Sequence, residues 1–252
     1  MSELKLPTEK VSLPSKGLLY PKDNPLSSGE IEMCYMTAQH EDILTNSNYI
    51  SQGTVIDKLL QALIVSPIKY DDLLIGDKNA ILIAARILGY GKDYTFKYKN
   101  QHNQEIETNV DLTLLNDKIV DQSLFNSGIN EFTFTLPKST NTITFRLLTH
   151  GGEKAIEAEN KGLRKIDPTK SYDVTTRLKY IITSIEGKRD LKDIRDFVDN
   201  YFLAPDARAL REYYNKIQPD IELKYTPEDE NYTGEGIDIP ISISFFWPDF
   251  RS

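Results

Sequence analysis

Residues 80–88 read "AILIAARIL", the longest apolar run in the chain, interrupted only by Arg86. The segment Lys78 to Leu88 is predicted to be a helix opened by Asp77 and ended by Gly89 and Gly91. A helix with one apolar stripe can lie on a surface, but this one is apolar almost all round and has to be covered on every side. It is far too short for the ~20 residues that span a bilayer, so its cover must be protein. A chain of 252 residues can bury a core of that kind. Arg86 should reach a carboxylate or the surface along its flexible stem.

An arm precedes the helical blocks and either straps onto its own domain or reaches a neighbouring subunit, with docking on a neighbour the preferred reading. "LPSKGLLYP", Leu13 to Pro21, reads as an extended arm with a turn at Ser15-Lys16-Gly17, because proline fixes φ and glycine permits positive φ. It has no signal-peptide shape. "GEIEMCYMT" alternates Ile31, Met33 and Tyr35 against Glu32, Cys34 and Met36 and predicts a strand. Thr37 opens a short helix, and Val55, Ile56, Leu59, Leu60, Leu63 and Ile64 mark a second, with Thr54-x-x-Asp57 approximating a capping box. "DYTFKYKN" and "QEIETNVDLTLL" predict a strand pair, and "NEFTFTLP" and "NTITFRLL" a hairpin around residues 137–141. Helical stripes follow at Val174-Leu178-Ile181-Ile182-Ile185, at Leu191-Ile194-Phe197-Val198-Tyr201, and after Pro205. "DIELKY" and "IDIPISISFFW" close the chain as strands, with Ile241, Ile243, Phe245 and Trp247 inward and Phe246 on the opposite face. Residues 96–112 and 223–239 echo one another as two ribbons with polar loops. The blocks do not alternate as βαβ units, so the class is α+β: two helical blocks, each followed by an antiparallel ribbon or hairpin, behind an extended N-terminal arm. The divisions expected are 1–29, 30–149 and 150–252.

Thirty Lys and Arg against 38 Asp and Glu give a net charge of −8, which argues against nucleic acid as the main partner. The short basic cluster around Lys161, Arg164 and Lys165 reads as a solvated helix end. A single cysteine, Cys34, excludes a disulfide framework and fits a soluble protein of a reducing cytoplasm. No phosphate-binding loop, G-x-S-x-G elbow or H-E-x-x-H pair is present. His40, Glu41 and Asp42 are adjacent on a helix and diverge; His102 lies in a polar loop and His150 at a strand-to-helix turn. No residue is therefore assigned to catalysis, metal or cofactor. Candidate contact residues for a protein partner are Leu18, Leu19 and Tyr20 in the arm and Phe246 and Phe250 in the aromatic tail.

In order, "LPSKGLLYP", "GEIEMCYMTAQHEDIL", "LLIGDKNAILIAARILGYGKDYTFKY", "VDL", "DARALREYYNKIQPD" and "IPISISFFWPDF" resemble the baseplate hub protein family of T4-like contractile-tailed phages, over residues 11 to 250. The resemblance implies a non-enzymatic structural or assembly component, with other baseplate or tail hub proteins as partners. It also implies a location in the host cytoplasm during assembly or in the baseplate of the virion. Some similar proteins carry a cysteine pair in each ribbon loop. Here "KNQHNQE" and "TPEDENYTGEG" hold none, so the four ligands of a tetrahedral zinc site are not expected. The competing reading is a phage-encoded or intracellular hydrolase or transferase with an unrecognised site.

Overall fold

A computed structural model describes residues 6–100, 103–227, 236–241 and 243–246. Strand β1 (Thr8–Ser12) pairs antiparallel with β2 (Glu30–Cys34), setting Val11 opposite Ile31. Helices α1 (Ala38–Leu44), α2 (Ser47–Ser51), α3 (Val55–Leu63) and α4 (Ile75–Tyr90) follow. The ribbon β3 (Asp93–Lys99) and β4 (Glu105–Asp111) comes next, then the hairpin β5 (Phe132–Thr135) and β6 (Thr142–Phe145). The second block holds α5 (His150–Ile166), α6 (Asp173–Ile181), β7 (Ile182–Ile185), α7 (Leu191–Asn200) and α8 (Ala204–Ile217). A two-residue ladder between β8 (Lys224–Tyr225) and β9 (Ile237–Asp238) ends the regular pairing. Helices and small antiparallel sheets stand in separate blocks, and the class is α+β.

The all-round apolar helix lies at the centre. Ile81 and Ala85 are fully covered, and Ala80, Leu82 and Ile83 nearly so. Helix α4 starts three residues earlier than the sequence predicts, with Leu74 as its N-cap, which puts Asp77 inside the first turn. Asp77 is fully buried, and its carboxylate accepts from the Ser15 N–H at 2.9 Å, the Ser15 hydroxyl at 2.7 Å and the Tyr20 hydroxyl at 2.6 Å. Tyr20 oxygen in turn accepts the Leu74 N–H at 2.9 Å. The turn at 15–17 forms as expected, with positive φ at Lys16 and Gly17. A Cβ on Gly17 would sit 2.4 Å from the Ser27 carbonyl oxygen, so this close approach requires glycine.

The arm is therefore extended only in β1, and beyond it straps onto its own domain. Leu19 is 2% and Tyr20 4% exposed, which removes both from the surface where a partner would meet them. Leu18 is half-buried, and its carbonyl accepts the Gly128 N–H at 2.7 Å. The physical reason is that a buried carboxylate needs donors, and the arm is where they come from.

The other end of the chain departs from expectation in a similar way. The segment Ile243–Phe246 is a 3-10 turn, not a strand. Alternation then fails: Phe245 and Phe246 are both buried, Phe245 edge-on to Tyr94 at 4.7 Å and Phe246 edge-on to Phe245 at 5.3 Å. Phe246 is thus a core residue and not a contact residue; Trp247 and Phe250 lie outside the described residues. Arg86 donates to the backbone carbonyls of Gly91 and Asp93 and packs over Tyr90, Tyr94 and Phe245; among the described residues it meets no carboxylate, and it is 6% exposed. The stripe expected to run helically to Ile185 breaks after Ile181. The β-branched "IITSI" continues as β7, which pairs with β6 and adds a third strand to the hairpin.

The core runs unbroken from Leu13 to Phe246, across residues 29–30 and 149–150. Backbone bonds tie the blocks together: Ile75 N–H donates to Leu148 O at 3.2 Å, and His150 N–H to Leu73 O at 2.7 Å. Asp206, fully buried at the start of α8, accepts the N–H groups of Lys138 and Ser139 in the hairpin turn. Burial pushes this carboxyl up, but those donors outweigh it and hold it below the usual range. The echoing ribbons meet, with Tyr225 edge-on to Phe96 at 5.8 Å and its hydroxyl 2.9 Å from Thr108 Oγ1.

Two substitutions test this frame. Asp77→Ala strands the Ser15 and Tyr20 donors and should cost about 3 kcal/mol in urea unfolding, since each buried unpaired group costs ~1–3 kcal/mol. A loss below about 0.5 kcal/mol would show that the strap is not anchored there. A Cβ on Gly76 would lie 1.9 Å from the Pro219 carbonyl oxygen, so Gly76→Ala should cost at least about 2 kcal/mol by forcing backbone apart. An unchanged melting temperature would rule out that packing.

Candidate functional site: a charged groove between three helices

The first turn of α4, the first turn of α5 and the start of α3 meet at His150. Its side chain is 9% exposed, and its ring stands edge-on to Tyr70 at 4.7 Å. Lys78 Nζ lies 3.2 Å from His150 Nδ1 and 2.5 Å from Asp57 Oδ1. On the other side of the ring, Nε2 faces Asp57 Oδ2 at 3.5 Å and Asp71 Oδ1 at 3.9 Å. Tyr70 donates its hydroxyl to Asp57 Oδ1 at 2.9 Å, and Lys154 closes the rim on Asp71 at 3.7 Å. With the Lys78 ammonium donating to Nδ1, the fitting tautomer carries its proton on Nε2, towards the carboxylates.

Burial is the largest influence on His150 and pushes its pKa down; the Lys78 charge adds to this, and both outweigh Asp57 and Asp71. The imidazole is neutral at pH 7. Tyr70 is pushed up by burial and by the neighbouring Asp57, so it stays protonated and donates. Asp57, Tyr70, Lys78 and His150 are engaged mainly with one another, which makes the cluster a joint between α3, α4 and α5.

That joint opens onto a groove of about 1060 Å³. Its floor is apolar, formed by Ile56, Ile75, Leu82 and Ile156. Its walls come from α3 and α5, with Arg177 and Asp173 of α6 at one end. Seven Lys and Arg line it against four Asp and Glu, so the lining is net positive on a chain of net charge −8. Some of that charge is internally satisfied: Arg177 forks onto Glu153, and Arg164 meets Asp173 at 2.8 Å. Lys58, Lys161 and Lys165 are exposed and have no ion pair among the described residues. Asn160 is 5% exposed and donates to Asp173 at 2.9 Å, while its buried Oδ1 lacks a partner among the described residues.

The residues singled out by sequence do not converge here. Leu18, Leu19, Tyr20 and Phe246 belong to the strap and the core. His40 accepts the Thr37 N–H at 3.0 Å and serves the start of α1, and His102 lies outside the described residues. Thr54 makes no capping bond, and Asp57 is turned towards Tyr70 and Lys78 instead. The groove drew on His150 and on the basic cluster at 161–165, both of which the sequence shows but gives no reason to combine. Asp57, Tyr70, Lys78 and His150 carry no shared spacing. Among the described residues no set of three or more His, Cys, Asp or Glu is placed to hold a metal, and no helix is long and apolar enough to cross a membrane. Comparison with known proteins finds no matching family model, no similar curated protein and no similar solved structure.

The depressed His150 pKa fixes a sign. The unfolded chain takes up this proton first, near the ordinary value of 6.5. Stability contributed by the neutral ring is therefore present above that value and lost as pH falls below it towards the folded-state pKa. Urea unfolding from about pH 7.5 down to about pH 5.5 should show a loss of stability that is shallower in His150→Gln. Parallel slopes in the two proteins would place the ring outside the linkage.

Proposed function

We propose that this chain is a non-enzymatic structural or assembly component of the baseplate hub of a contractile phage tail, acting through protein contacts. The observation that carries the reading is the ordered set of segments resembling that family. Those segments touch one another in the fold. Ser15 and Tyr20 of "LPSKGLLYP" sit on Asp77 of "LLIGDKNAIL". Tyr94 of "KDYTFKY" donates to the Pro240 carbonyl of "IPISISFF" at 3.0 Å. A resemblance seated in mutually packed segments concerns the body of the fold and not one detachable motif.

The surface also suits a contact role. Segment 112–131 displays Leu114 at 74%, Ile119 at 97% and Ile129 at 53% exposure. Exposed aliphatic side chains of this size are available to a protein partner. The partners in this reading are other baseplate or tail hub proteins, met in the host cytoplasm during assembly or in the finished baseplate.

The test is affinity purification of the tagged chain from infected cells, with partners identified by mass spectrometry. Recovery of tail hub proteins is expected; recovery of the chain with no tail component counts against the proposal. Leu114→Asp with Ile119→Asp should shift stability by no more than about 0.5 kcal/mol and weaken that recovery. Undiminished recovery would place the interface elsewhere.

A further inference from the structure

We infer that the groove between α3 and α5 is the docking site for an acidic amphipathic helix of a partner protein. The inference takes its class of partner from the contact-building role proposed above.

Three features define the occupant. The floor of Ile56, Ile75, Leu82 and Ile156 takes apolar side chains, so the occupant has an apolar face. Lys161 and Lys165 are four residues apart on α5 and share a face; Lys58 faces them from α3. A pair of lysines on one side of the apolar floor and a single lysine on the other match a helix whose apolar stripe is bordered by carboxylates. These three lysines have no ion pair among the described residues, whereas Lys78, Arg164 and Arg177 in the same lining are engaged. The charge complement is thus supplied from outside.

A nucleic acid fits less well. Glu153, Glu157 and Asp57 interrupt the cations along the groove, and evenly spaced phosphates would meet them. An apolar floor offers a phosphate backbone nothing, and the chain as a whole is acidic. A peptide can leave neutral or basic residues opposite those carboxylates.

Fluorescence anisotropy of the full chain with a labelled helical peptide of about 18 residues tests the site, using Leu on one face and Glu on its flanks. A peptide with every Glu replaced by Lys and a single-stranded oligothymidylate are the comparisons. The Glu peptide should bind, more weakly as salt rises, and the Lys peptide should not. The triple variant Lys58→Glu, Lys161→Glu, Lys165→Glu should weaken the Glu peptide by about tenfold or more and gain binding of the Lys peptide. Lys161→Gln with Lys165→Gln, a milder pair, repeats the test if the triple variant melts early. Equal binding by wild type and variants, or tighter binding of the oligonucleotide than of the Glu peptide, overturns the site. The hub reading is scored separately. Hub proteins recovered equally with wild type and triple variant would overturn the groove as their dock and leave the hub role standing. Groove-dependent peptide binding with no tail protein recovered would do the reverse.

Discussion

The fold depends on a buried carboxylate that has no ion pair among the described residues. Asp77 lies in the first turn of the central helix, fully buried, and burial pushes its pKa up against the pull of Tyr20 and Ser15. A buried carboxylate of this kind is tolerable only with donors aimed at it, and three come from two residues of the strap, Ser15 and Tyr20. Hydrogen bonding to Asp77 thus decides where the N-terminal segment lies. Its position lets β1 pair with β2 and lets Leu13 and Leu19 cover the helix. The same helix turn carries Lys78 next to Asp77, and Lys78 lines the groove. One turn of α4 therefore organises both the strap and the candidate site.

What was legible in the sequence was what is local. The apolar helix, the α3 stripe, the β5–β6 hairpin and the Pro205 helix start are all set by spacing and turn chemistry within a few residues. The failures come where tertiary contacts override that pattern. Ile182 and Ile185 continue a helical spacing, but β6 offered a free edge, and β-branched residues satisfied it. Phe245 and Phe246 were read as opposite faces of a strand, yet Tyr94 and Arg86 provide cover that a 3-10 turn can fill with both rings. For the site, Asp57, Lys78 and His150 are separated by about the length of a whole lobe, so no window could bring them together.

The groove carries charge against the trend of the molecule. A uniformly acidic surface would repel acidic partners everywhere, whereas a local reversal makes one approach favourable and the others not. The ion pairs at its end, Arg177 with Glu153 and Arg164 with Asp173, hold α5 and α6 in register and leave the unpaired lysines projecting. Ion-paired walls with exposed lysines beside them suit contact with a charged partner through long side chains.

The C-terminal cover of the central helix has a consequence for how the chain is made. Helix α4 ends at Tyr90, but Phe245, Phe246 and the Pro240 carbonyl that complete its surroundings are synthesised some 150 residues later. During that interval the cover that Phe245 gives to Arg86 and Tyr94 is missing, and contacts of such sequence separation are slow to close. Translation at ~5–20 residues per second leaves an apolar flank open for about ten seconds or longer. The growing polypeptide is then exposed to sticking and to chaperone capture. Slower elongation lengthens that interval, so the speed of synthesis bears on how much of the chain reaches its native core.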